Sequence, residues 1–278
     1  MRMENGKTTT KNGIFGAVAM VLMLSMCLLT ACGGGRDASI VIAGSTSVQP
    51  YVEVLAEEYA HTHPEKVIDI QGGGSSAGIT AVISETADLG MSSRNLKDSE
   101  KHLWSIEISK DGLAIIVNPG NPVGDLTLEQ IRGIYSGDIT NWSELGGRDA
   151  KIHIVSREEG SGTRSAFEEM IMDGRRITPR AIIQDSNGAV RQLAADDPNS
   201  IGFISLGLVE VGEKPVKALS IGGVVPSREN VINGSYTLFR SFLIVAQSEP
   251  TGYAKQFIEY IRSPEGQKIL ADEGLIPE

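Results

Sequence analysis

The sequence predicts an α/β fold of two lobes, each built on a largely parallel sheet covered by helices. Three observations predict it. Short apolar runs alternate with helix-length segments from residue 39 to the C-terminus, the rhythm of strand–helix–strand units. Glycine is abundant, 32 residues in 278, and much of it stands where a strand hands over to a helix. The length also exceeds what one doubly wound lobe needs.

The chain opens on a leader. Arg2, Lys7 and Lys11 make a basic start, an apolar run extends from Ile14 to Leu29, and small residues precede Cys32. This is the plan of an export signal, although the run is long enough for an uncleaved transmembrane helix. Leu29-Thr30-Ala31-Cys32 favours cleavage, because it is similar to the lipobox of bacterial lipoproteins. That resemblance implies that Cys32 carries lipid on its sulfur and becomes the N-terminus, anchoring the protein at the outer face of the cytoplasmic membrane. A plain signal peptide with an incidental cysteine is the alternative. Either way residues 1–31 fall outside the fold, and 32–38, with three consecutive glycines, read as a flexible tether.

The only cysteines, Cys27 and Cys32, belong to this leader or its end. The body therefore has no thiol for a disulfide, a zinc site or a nucleophile, and a domain of this size buries enough apolar surface without one. Removing the leader's net +2 from the chain's −10 leaves −12. That balance argues against nucleic acid or an anionic lipid surface as partner. It also means that an anionic ligand must be held by local geometry.

In order, strands are expected at 39–43 and 67–71, an apolar run at 113–117, and strands at 152–155, 201–204 and 236–245. Helices are expected at 50–61, 77–85, 126–135, 163–173, 189–195, 252–262 and 265–271. No internal repeat is present.

Three strand-to-helix junctions are built alike. They are Gly44-Ser45-Thr46-Ser47, Gly72-Gly73-Gly74-Ser75-Ser76 and Gly160-Ser161-Gly162-Thr163. Each places hydroxyl residues at a helix N-terminus, where backbone N–H groups lack intrahelical partners and the dipole is positive. Such a junction is an anion site in waiting, but serine and threonine also cap helices everywhere. Extra glycines that capping does not require, and Arg157 beside the third junction, favour a ligand. A charge-assisted hydrogen bond contributes roughly 1.5–3 kcal/mol, whereas micromolar affinity needs about 8 kcal/mol. One loop is too little; three loops and a guanidinium suffice if they converge at the carboxyl ends of strands facing a cleft.

On these residues the sequence resembles the phosphate-binding proteins of phosphate ABC transporters, members of the periplasmic-binding-protein superfamily. The resemblance runs from about residue 39 to the C-terminus and rests on GSTS at 44–47, QGGGSSAG at 71–78, DLGMSSR at 88–94 and SREEGSGT at 156–163. It implies a non-enzymatic, monomeric receptor with two lobes joined by two crossovers, near 114–118 and 239–243, and a ligand cleft between them. Lobe 1 would comprise 39–114 with 240–278, and lobe 2 would comprise 115–239. It implies phosphate contacts from Ser45, Thr46, Ser47, Ser75, Ser93, Arg157, Ser161, Gly162 and Thr163. Glu159, matching an acidic family position, would pair with Arg157, and Arg94 and Ser76 would support the site. The implied partner is a transporter permease; no cofactor and no metal are implied. Some family members carry aspartate at the position of Ser93. A serine accepts a hydrogen bond from protonated phosphate but does not repel sulfate, so a receptor for another oxyanion such as sulfate or molybdate is a second reading. Arg94 either adds positive charge or is solvated at a lobe edge.

Gly74-Ser75-Ser76-Ala77-Gly78 also fits the nucleophile elbow of a serine hydrolase, with Ser76 as nucleophile. That fold needs a late histidine, and none follows His153. Gly72-x-Gly74-x-x-Ala77 resembles a dinucleotide fingerprint but lacks the acidic residue that should end the next strand. His61-x-His63, at the end of a helix before Pro64, reads as a solvated terminus with nothing near it to complete a metal set.

Overall fold

The computed structural model describes residues 39–210, 212 and 214–277; the leader, the tether and Cys32 lie outside the described residues. The first half comprises β1 (Ser39–Gly44), α1 (Gln49–Thr62), β2 (Val67–Gly72), α2 (Ser75–Ile83), β3 (Leu89–Ser92), β4 (Trp104–Val117), β5 (Asp125–Leu126) and α3 (Leu128–Ser136). There follow β6 (His153–Arg157), α4 (Gly162–Phe167), β7 (Ile182–Gln184), α5 (Asn187–Asp196), β8 (Ser200–Ser205), β9 (Lys217–Ala218) and β10 (Ser220–Ile221). The chain ends with α6 (Arg228–Ile232), β11 (Phe239–Ala246), α7 (Gly252–Arg262), α8 (Pro264–Asp272) and β12 (Ile276–Pro277).

The main sheet has the order β2-β1-β3-β11-β4-β8-β6-β7, with β9 and β12 pairing β4, while β5 and β10 form a separate parallel pair. Towards one end β1 and β3 are parallel; towards the other, β8, β6 and β7 are parallel. Between them lie the antiparallel strands β11 and β4. This is the α/β architecture expected from the alternating pattern, with its direction reversed only at the centre.

β4 is the element that joins the two ends. Only its apolar tail, 113–117, was legible as a strand, because 104–112 carries Ser105, Glu107, Ser109, Lys110 and Asp111. Pairing with β11 along its length makes these residues part of a 14-residue strand all the same. In the tail every residue is buried: Leu113, Ile115 and Val117 enter one apolar cluster, and Ala114 and Ile116 enter another. A strand covered on both faces loses the polar alternation of a half-exposed one. The cluster containing Ala114 also takes in Val155, Val190, Ala194 and Ile204, so apolar packing continues across β4.

Local chemistry accounts for most element boundaries. Thr127 and Gln130 form a capping box at the start of α3, which ends on Gly137 in the left-handed region. α2 starts at Ser75 rather than at residue 77, because Gly74, with φ of 90°, makes the turn that starts it two residues early. The helix expected over 163–173 is α4 followed by a wider π turn over Glu168–Met172. β3, four buried residues, had too short a pattern to read.

The contact of α2 with β1 sets how closely the second junction sits against the first. A Cβ on Gly78 would lie 2.4 Å from the carbonyl oxygen of Ala43 and 2.6 Å from Cα of Gly44. Gly188, exposed in α5, has no atom within 4 Å of that position. Gly78→Ala is therefore expected to destabilise the protein by about 1–3 kcal/mol through overpacking, and Gly188→Ala to leave stability unchanged or raise it by about 0.4–1 kcal/mol. Urea unfolding of the two variants checks the pair.

Candidate functional site

The three junctions meet. At the first, α1 begins after Val48 with no side-chain cap, which leaves Ser45, Thr46 and Ser47 free of that duty. At the second, Gly74 is the cap of α2 and has no side chain to give, so Ser75 and Ser76 are likewise not caps. At the third, Ser161 does cap α4, accepting a hydrogen bond from the Arg164 N–H at 3.2 Å. The capping alternative thus describes one junction of the three.

Their hydroxyls form one buried cluster. Ser45 donates to Ser93 at 2.8 Å, Ser93 and Ser75 are 3.3 Å apart, and the backbone N–H of Ser93 donates to Ser75 at 3.1 Å. Ser47 and Thr163 are hydrogen-bonded at 2.8 Å across 116 residues of sequence. Ser45, Ser47, Ser75, Ser93, Ser161 and Thr163 are each at most 2% exposed. A Cβ on Gly162 would stand 2.2 Å from Ser75 Oγ and 2.5 Å from Ser93 Oγ, so glycine is what lets α4 reach them. The N–H of Ser76 completes the seam by donating to the carbonyl of Gly160 at 3.0 Å.

Arg157 ends β6 beside this cluster and is 1% exposed. Its Nε and Nη2 donate to the two carboxylate oxygens of Glu158, each at 2.9 Å, and Nη2 also reaches the Asp185 carbonyl at 3.1 Å. Nη1 is buried without a hydrogen-bond partner. The expectation that Glu159 pairs with this arginine is therefore corrected: Glu158 does. The reason is a turn closed by the Ser161 N–H on the Glu158 carbonyl at 3.1 Å, which puts Glu159 at its exposed tip. Glu158, before the tip, stays against the cluster, with Oε1 2.9 Å from where a Cβ on Gly74 would lie.

Both readings of Arg94 also change. The side chain is buried, its guanidinium gripping Glu100 at 2.7 and 2.9 Å, and it further donates to the Asn95 carbonyl and to Ser76 Oγ. It is neither solvated nor free to act as a bare cation. The hydrogen bond from Arg94, opposed in part by burial, holds the Glu100 carboxyl below its usual range.

Four side chains that the sequence did not single out back the cluster. Arg240 of β11 and Asp111 of β4 are register partners and form a buried ion pair at 3.1 Å. Asp111 also accepts from Ser205 Oγ at 2.8 Å. Burial pushes the Asp111 carboxyl up, and Arg240 opposes that shift. Asn187, at the start of α5, donates to Ser47 at 2.8 Å and to Thr46 at 3.2 Å, drawing Thr46 into the same network. The signal for the ion pair was present as one charge just before an apolar run and its opposite within another. Nothing local marked Asn187.

Two outcomes follow. Glu158→Gln is expected to lower stability by about 1–3 kcal/mol, because it strips a buried guanidinium of its counter-charge, while Glu159→Gln stays within about 0.5 kcal/mol; urea unfolding compares them. For Glu100 a lowered folded-state value means that its contribution is complete above the unfolded value, about pH 4.3, and is lost as pH falls through the folded one. Glu100→Gln should be less stable than wild type at neutral pH, with the difference shrinking as pH falls below the unfolded value. Thermal unfolding measured against pH reads it.

The family model of the PBP superfamily domain matches residues 30–265. The chain is 33% identical to the phosphate-binding protein PstS of Bacillus subtilis, covering 94% of this chain and 93% of that one. Among solved structures it matches one, with bound phosphate, of a Clostridium perfringens protein described as a phosphate ABC transporter substrate-binding protein. The identity there is 45% and the TM-score 0.82, over 86% of this chain and 99% of the other. An ABC-type phosphate transport receptor from Vibrio cholerae matches at 40% identity and a TM-score of 0.70, over 86% and 100%. The converging junctions thus sit in a chain that belongs to the PBP superfamily, in the family of these phosphate-binding proteins.

Proposed function

We propose that this protein is an extracytoplasmic receptor that binds inorganic phosphate and delivers it to an ABC transporter permease. One observation carries the reading: hydroxyls and helix N-termini from three distant segments close on one buried spot beside Arg157. That set is rich in donors and short of apolar surface, which suits a small, strongly hydrated anion and no larger guest. The ligand contacts would come from Ser45, Thr46, Ser47, Ser75, Ser93, Arg157, Ser161, Gly162 and Thr163. Arg157 keeps an unpartnered Nη1 for the ligand, while Glu158 fixes its other edge.

The lobes would divide near the long strands, 39–114 with 240–278 against 115–239, and hinge on β4 and β11. Cys32, if lipidated, would tether the monomeric receptor to the outer face of the cytoplasmic membrane. No helix among the described residues is long and apolar enough to cross a membrane.

Ser93 supports a second reading, another oxyanion such as sulfate, because no carboxylate stands at that position to repel a ligand lacking a proton. The hydrolase reading has less behind it. Ser76 Oγ receives a hydrogen bond from Arg94, a donor, whereas a nucleophilic serine needs a base to accept its proton.

Isothermal titration of the mature domain is the test. Heat with phosphate is expected; heat with sulfate or molybdate and none with phosphate rejects the reading. Arg157→Ala should weaken phosphate binding at least ~10-fold, consistent with loss of a charge-assisted bond, and far more than Arg94→Ala. Equal losses would contradict the roles given to the two arginines.

A further inference from the structure

Ser47 receives more hydrogen bonds than an ordinary site hydroxyl. Asn187 Nδ2 lies 2.8 Å from its oxygen and Arg240 Nη2 lies 3.1 Å away. Both groups can only donate: a guanidinium has no acceptor, and the amide nitrogen of asparagine has none. The orientation of the Asn187 amide is fixed independently, because its Oδ1 accepts from the Ser205 N–H at 3.3 Å; a flipped amide would set nitrogen against nitrogen there. A serine oxygen has two acceptor lone pairs and one proton. With both lone pairs in use, the proton has one role left, and in this structure it faces Thr163 Oγ1 at 2.8 Å.

We infer that Asn187 and Arg240 are positioning residues of the anion site: by saturating the acceptor capacity of Ser47 they turn its hydroxyl into an obligate donor, committed to an unprotonated oxygen of the ligand. The same amide lies farther from Thr46, at 3.2 Å, so Ser47 is its closer partner.

The support behind this arrangement is itself closed. Asp111 holds Arg240 from below and accepts from Ser205 Oγ, while Ser205 N–H holds Asn187, so Asp111, Arg240, Ser47, Asn187 and Ser205 form a ring. Arg240 also lies over the Phe242 ring, its guanidinium carbon 5.4 Å from the centroid, which limits its movement. All five side chains are nearly or fully buried, Arg240 the most exposed at 6%. The design suits a site that meets only acceptors, and it rejects a ligand atom that must itself donate to Ser47.

The inference rests on the phosphate reading above. The test is a double-mutant cycle read by isothermal titration with inorganic phosphate, using wild type, Ser47→Ala, Asn187→Ala and the double variant. If Asn187 acts through Ser47, each single change weakens binding about 10-fold or more, and the double variant binds within about threefold of Ser47→Ala alone. Losses that multiply, or an Asn187→Ala variant that binds like wild type, overturn the inference. Arg240→Lys, which keeps a donor and a charge, should bind more tightly than Arg240→Met combined with Asp111→Asn, a pair chosen so that no buried carboxylate is left unpaired. Equal affinity of those two also overturns it. Wild type that ignores phosphate but binds sulfate defeats the phosphate reading alone, and the same cycle run with sulfate then decides the inference; no binding of either anion defeats both.

Discussion

A polar group taken out of water must find a partner inside the protein, and the rest of this structure is arranged around that constraint. Six hydroxyls, two guanidiniums, an amide and two carboxylates share a small interior volume. Left unmatched, each would cost the fold a fair fraction of its net stability. Here the carboxylates take the arginines, the amide and one arginine take Ser47, five of the hydroxyls bond among themselves, and Ser161 takes a backbone N–H. What remains unmatched is one-sided: Arg157 Nη1 and Arg240 Nε and Nη1 are donors. The cluster is short of acceptors, which is the property an anion supplies.

The sheet explains how such a cluster forms from distant segments. Parallel strands at either end deliver their carboxyl ends, and the helices that follow, towards the centre, where β4 and β11 run in opposition. Asp111 and Arg240 sit on that central pair at matched register, so the floor of the cluster is part of the element joining the two ends. Catalysis is not needed to account for any residue of the cluster. In a receptor, by contrast, a ligand site built against the strands between two lobes couples occupancy to their arrangement.

Sequence reading reached the parts that repeat a local pattern. Glycine followed by hydroxyl at a strand end is a short-range signal, and it marked all three junctions. It failed where the outcome depends on turn geometry or on long-range register. Glu158 and Glu159 are alike in sequence, and only the turn at 158–161 decides which of them faces the arginine. Arg94 finds Glu100 through the 3₁₀ turn between them, at Asp98–Glu100, whose N-terminal backbone N–H that carboxylate also accepts. Asn187 meets Ser47 across 140 residues, and no pattern along the chain announces a contact of that span. The polar half of β4 was missed for a related reason: its strand character comes from β11, not from its own alternation.

The pairing of the Arg157 and Arg240 guanidiniums with carboxylates has a bearing on how the site meets its ligand. Charge that is cancelled within a few ångströms projects little field into solvent, and the exterior is acidic besides. Capture then depends on hydrogen bonds inside the fold, which mobile ions screen weakly. A receptor built this way gives up long-range attraction and holds its ligand by contacts at hydrogen-bond range.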